Sequence, residues 1–65
     1  MNKKIYANIL GTWVELKDTD TIYNTNPYTW IKENNLHDFT FIWIDYNGVG
    51  YKIHISHIQI KSMQI

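Results

Sequence analysis

The stretch from Phe39 to Ser56, FTFIWIDYNGVGYKIHIS, constrains the fold more than any other part of the chain. Its centre, Asn47-Gly48, is the strongest short hairpin signal a sequence offers, because a type I′ turn needs positive φ at both central residues. With the turn placed there the register follows: Tyr46 faces Val49, Ile44 faces Tyr51, Ile42 faces Ile53, and Thr40 faces Ile55. Side chains alternate between the two faces of a strand, so this set makes one face apolar throughout. The opposite face carries Asp45 beside Gly50, Trp43 beside Lys52, Phe41 beside His54, and Phe39 beside Ser56. It is aromatic on one strand and polar or basic on the other.

A chain of 65 residues is expected to form a single compact β domain spanning 1–65, with no room for a separate catalytic domain. The three Trp, five Tyr and two Phe are many aromatics for so small a core. Either nearly all are packed in one core, or a second copy of the chain helps to cover them, which makes a homo-oligomer an expectation. The chain has no cysteine, which removes disulfides, thiolate catalysis and the common structural zinc sites. The start, Met1-Asn2-Lys3-Lys4-Ile5, leads into an apolar run that Asn8 and Gly11 break too early for a signal peptide or a spanning helix. The reading is therefore a soluble, cytoplasmic protein without a membrane partner. Six basic and six acidic residues cancel, leaving no electrostatic footprint of the kind that drives non-specific DNA binding. Ile, Asn, Lys and Tyr, with AT-rich codons, are abundant and Arg is absent, which suggests an AT-rich genome such as that of a low-GC bacterium or its phage.

Outside the hairpin, Ile5, Ala7 and Ile9 alternate with more polar neighbours over Lys3–Leu10, as in a half-buried strand. The apolar phase moves from odd to even positions across Gly11, since Val14 and Leu16 continue it to Lys17. The expectation is one strand that bends or bulges at Gly11. Asp18 to Asn26 reads as a long surface loop without the Gly and distal Glu of a calcium-binding EF-hand. The segment 27–35, PYTWIKENN, has two readings. Asn26 as N-cap before Pro27, with Trp30, Ile31 and Asn34 at helical spacing, suggests a short helix. Strand-forming Tyr, Thr, Trp and Ile in so short a segment favour a strand turning at Asn34-Asn35 into a three-stranded meander, and the strand is preferred. A closing strand carries Ile58 and Ile60 on one face after a kink at Ser56-His57.

The fold class is thus all-β: a curled antiparallel sheet or barrel of about five strands, with a short helix near 27–35 as the variant. The order of N-terminal strand, long polar loop, meander, kink and closing strand resembles the layout of an SH3-like barrel, without a diagnostic motif.

Chemistry finds little support. His54 and His57 lie three apart, on opposite faces of a continuous strand, and His37 sits in a different turn, so no metal is expected. Ser56 lies between two histidines but has no nucleophile elbow, and the carboxylates Asp18, Asp20, Glu33, Asp38 and Asp45 fall at turns or strand ends. No enzyme activity and no cofactor are expected. The candidate binding residues are Phe39, Phe41, Trp43, Lys52 and His54. On burial grounds the first reading of that face is structural, a second half of the core covered by Trp13, Trp30 and the first strand. The second is a protein partner or a second copy. The third is single-stranded nucleic acid, with bases stacked on the aromatics and cations meeting phosphate. Among functions, the expectation is a non-enzymatic protein-binding module, a regulator or inhibitor encoded by a phage or mobile element.

Overall fold

In the computed structural model, residues 2–63 are described. They form β1 (Asn2–Ile9), β2 (Thr12–Glu15), β3 (Thr21–Ile22), α1 (Pro27–Glu33), β4 (Phe41–Tyr46), β5 (Val49–His54) and β6 (Ile58–Met63), with 3-10 turns at Leu36–Asp38 and Ile55–His57. The strands make two three-stranded antiparallel sheets, ordered β2-β1-β6 and β3-β4-β5. The all-β expectation holds, with one short helix. No helix among the described residues is long and apolar enough to cross a membrane.

The central hairpin has the register read from Asn47-Gly48, from Phe41 opposite His54 to Tyr46 opposite Val49. Asn47 and Gly48 have φ of 53° and 78°, as a type I′ turn requires. The inward side chains Ile42, Ile44 and Ile53 are buried and Tyr51 is half-buried. They meet Ile5, Ala7 and Ile9 of β1, with Leu16, Ile22, Trp30 and Ile58, in one core.

The N-terminal segment is a hairpin, not one bent strand. Leu10 and Gly11, with φ of 53° and 89°, are the two central residues of a second tight turn, and Ala7 pairs with Val14 and Ile9 with Thr12. This explains the phase change. Partners across a two-residue hairpin have positions summing to an odd number, so an odd-numbered inward face on one strand continues on even numbers on the other.

The loop from Asp18 to Asn26 contributes a strand as well. Thr21 pairs with Asp45 and Ile22 with Ile44, so β3 is the third strand of the hairpin's sheet, in the place assigned to 27–35. Ile22 is fully buried and drives this pairing. A third tight turn, Tyr23-Asn24 with φ of 50° and 61°, reverses the chain behind it, closed by Ile22 N–H on Thr25 O at 2.8 Å and Thr25 N–H on Ile22 O at 3.0 Å. Buried Asp20 anchors the segment: its carboxylate accepts from Lys17 N–H at 2.8 Å and from Asn47 N–H, in the hairpin turn, at 3.3 Å.

The preferred strand over 27–35 is corrected to a helix over Pro27–Glu33. Local chemistry outweighs strand propensity here. Asn26 Oδ1 accepts from Tyr28 N–H at 2.9 Å and Thr29 N–H at 3.3 Å, while Pro27 occupies the first turn, where its missing N–H costs nothing. The helical period then puts Pro27 and Trp30 together in the core. Asn34 ends the helix through its backbone N–H and its side-chain amide, both donating to Trp30 O. The chain reaches β6 through the 3-10 turn Ile55–His57, at the expected kink, and β6 pairs antiparallel with β1.

Candidate functional site

Four of the five candidate residues come together on the outward face of the β4–β5 hairpin. Phe41 and Trp43 stand two apart on β4, the central strand of its sheet, and are 43% and 51% exposed. The first reading of this face, a covered second core, is therefore corrected: both rings face outward. The side chains meant to cover them are elsewhere. Trp13 pairs with Asn8 and so belongs to the outer face of the other sheet, and Trp30 is part of the helix, buried in the core.

The polar side chains opposite are arranged around the rings. Lys52 Nζ lies 4.9 Å from the Phe41 ring centre, a cation–π distance. The His54 ring meets Phe41 edge-on, at 5.1 Å and 87°. His54 Nδ1 accepts the Ser56 N–H at 3.0 Å and lies 2.8 Å from Ser56 Oγ, which ties the imidazole to the 3-10 turn that follows. Accepting that N–H places the Nδ1 lone pair towards Ser56. Asp45, at the turn end of the face, accepts from Thr21 Oγ1 at 3.2 Å. Gly50 leaves room for it: a Cβ there would sit 2.9 Å from Asp45 Oδ1 and the carboxylate would have to shift.

Phe39, the fifth candidate, is not on this face. Strand pairing ends at Phe41 and His54, and the exposure of both Thr40 and Phe41 breaks the alternation that would have carried Phe39 outward. It packs instead at 5.1 Å from Trp30 and 6.3 Å from Tyr23, with Tyr23 5.9 Å from Trp30. This triangle of rings joins the helix to the β3 turn.

Tyr23 is the residue the sequence reading missed. It is 44% exposed, and its N–H donates to Trp43 O at 3.1 Å, which sets it at the border of the aromatic face. Two bulky or polar residues at positive φ carry no sequence signal comparable to Asn-Gly, and the turn shows only in the fold, through the Ile22–Thr25 bridge.

His37 and His57 are exposed, and no group of three or more His, Cys, Asp or Glu is placed to hold a metal among the described residues. A separate groove of about 360 Å³ between α1 and β1 is lined by Lys3, Ile5, Tyr28, Ile31 and Lys32. The Tyr28 hydroxyl there donates to Leu16 O at 3.1 Å, and its pKa is raised by burial first, then by the nearby charges of Glu15 and Asp18. Comparison with protein-family models, with curated proteins and with solved structures finds no match.

Proposed function

We propose that this protein is a non-enzymatic protein-binding module that acts through the outer face of the β4–β5 hairpin. The observation that carries the reading is the exposure of Phe41 and Trp43 side by side on a central strand, held among Lys52 and His54. A rigid sheet presents these rings with little conformational entropy left to lose, and tryptophan is among the residues that most often dominate an interface. Its small size and its abundance of Ile, Asn, Lys and Tyr, residues with AT-rich codons, support a cytoplasmic regulator or inhibitor encoded by a phage or mobile element. The layout, in which a 3-10 turn leads to a last strand paired with the first, supports an SH3-like barrel as its scaffold.

Self-association is a second element of the proposal, supported by the four large aromatics Trp13, Tyr23, Phe41 and Trp43 that remain exposed. Sedimentation velocity at micromolar concentration tests it: a monomer removes the homo-oligomer and leaves the binding module. The module itself is tested by affinity capture with the wild-type chain and a folded Phe41→Ala/Trp43→Ala variant. A partner retained equally by both would exclude this face.

The pairing of ring and cation in Phe41 and Lys52 also favours single-stranded nucleic acid as an alternative. Titrating tryptophan fluorescence with oligonucleotides at two salt concentrations separates the readings. Quenching that weakens with salt supports nucleic acid; no quenching at low salt removes it.

A further inference from the structure

From the open edge of β5 we infer that the partner docks as an added β-strand, an extended segment carrying carboxylates at alternate positions. This rests on the proposed binding role of the hairpin and specifies its geometry.

The pairing register locates the available backbone groups. In a two-residue hairpin the pair flanking the turn exchanges both backbone hydrogen bonds, and such pairs then recur at every second position. Tyr46–Val49, Ile44–Tyr51 and Ile42–Ile53 are thus the bonded pairs, and the bond from Ile55 N–H to Thr40 O at 3.0 Å continues the series. The N–H and C=O groups of Gly50 and Lys52 therefore point away from β4. On that side β5 has no strand neighbour, and among the described residues Gly50 and Lys52 make no other backbone hydrogen bond. The same positions carry the face's cation, since Lys52 projects beside Phe41.

An incoming strand would pair its backbone with Gly50 and Lys52 and set alternate side chains beside Lys52 and His54, next to the aromatic patch. Charge selects which strand. Two copies pairing β5 against β5 about a twofold at Lys52 would place the two lysines directly opposite each other, which is unfavourable. A strand with glutamate or aspartate at that position is complementary. A twofold at Tyr51 instead sets Gly50 opposite Lys52 and leaves each lysine without a counter-charge, so a foreign acidic segment is the better match to the edge.

Amide hydrogen exchange followed by NMR on the full chain tests the inference, with a seven-residue peptide of alternating glutamate and valine as the probe. In the free protein the Lys52 amide should exchange at least about tenfold faster than those of Tyr51 and Ile53, and peptide should slow it to their level. Lys52→Gln, which keeps the N–H, should weaken the peptide about two- to fivefold, and an alternating lysine and valine peptide should bind more weakly than the acidic one. Lys52→Pro removes the outward N–H together with the charge and should weaken the peptide far more than Lys52→Gln, which removes the charge alone. Should that variant not fold, exchange in the wild type decides alone. A Lys52 amide already protected in the free monomer, no binding of the acidic peptide, or binding that leaves this amide unprotected would overturn the inference. So would an oligonucleotide that binds the face where the peptide does not. If Lys52→Pro still captures a partner that Trp43→Ala loses, strand addition fails while the aromatic-face reading stands.

Discussion

The β1–β2 and β4–β5 hairpins use one device twice and turn it to different ends. Each reverses in two residues at positive φ, each flips the inward face from one parity to the other, and each sends isoleucine or valine into the core. Their outer faces differ. On the first, Tyr6, Asn8, Trp13 and Glu15 mix charge and polarity, Lys61 of the adjoining β6 lies 5.3 Å from the Tyr6 ring centre, and β6 pairs along the other side of β1. On the second, Phe41 and Trp43 stand next to each other and β5 has an unpaired side. Each hairpin has one edge strand, β2 in the first and β5 in the second, and what sets the second apart is the pair of exposed rings and the lysine beside its edge. The second is built into the core from one side and left available on the other.

The inner faces give the largest expected contrast. Ile44 is fully buried at the centre of its sheet while Val14 is half-buried on an outer strand. Ile44→Ala should cost about 2–5 kcal/mol and Val14→Ala about 1 kcal/mol, measured by urea unfolding. Equal costs would mean that the two hairpins share the core more evenly than their burial indicates.

Anchoring of the turns comes next. Asp20 holds the Asn47 turn and the Lys17 loop together. Asp20→Ala should cost about 1.5–3 kcal/mol, since its hydrogen bonds involve a charged acceptor. The amide of Asn47 should then exchange faster, with that of Leu10 unchanged.

The two turns can also exchange residues. Leu10 adopts the left-handed region and is 87% exposed. Leu10→Asn should stabilise the chain by about 1 kcal/mol and Asn47→Leu should destabilise it by a similar amount, both read from the midpoint of denaturation. A neutral Leu10→Asn would indicate that the Leu10 side chain makes a contribution that offsets its backbone.

The smallest effect concerns Tyr28, whose hydroxyl ties the helix to the end of the first hairpin at Leu16. Its pKa is raised in the fold, above the ordinary 10.0, so the folded chain holds this proton more tightly than the unfolded one. The associated stability is complete below that ordinary value and is lost as pH rises through the raised one. Tyr28→Phe should cost about 1 kcal/mol or less at neutral pH and flatten the alkaline limb of a pH–stability curve. An unchanged alkaline limb would assign that loss to other groups.

The two hairpins also show what could be read from the residues. Asn47-Gly48 announces its turn, and the full register and the inward set Ile42, Ile44, Tyr51 and Ile53 follow from it. Leu10-Gly11 does not, because leucine is a poor left-handed residue; the phase change across Gly11 was visible but reads equally as a bend. Burial decides the rest. Ile22 recruits a strand from a polar loop, and the Asn26 cap with Pro27 commits a strand-forming segment to helix. For the candidate site, alternation alone put Phe41, Trp43, Lys52 and His54 on one face. Whether that face was covered depended on where Trp13 and Trp30 went, and Phe39 left it because pairing stops two residues short.

The most direct test of the hairpin's outer face as the interaction surface is a pair of affinities. A partner captured by the wild-type chain is measured against folded Trp43→Ala and Trp13→Ala variants, one exposed tryptophan from each hairpin. Trp43→Ala should weaken binding at least about thirtyfold, the loss of an interface hot spot, while Trp13→Ala should leave it within about twofold. Binding that survives Trp43→Ala and is lost with Trp13→Ala would contradict this.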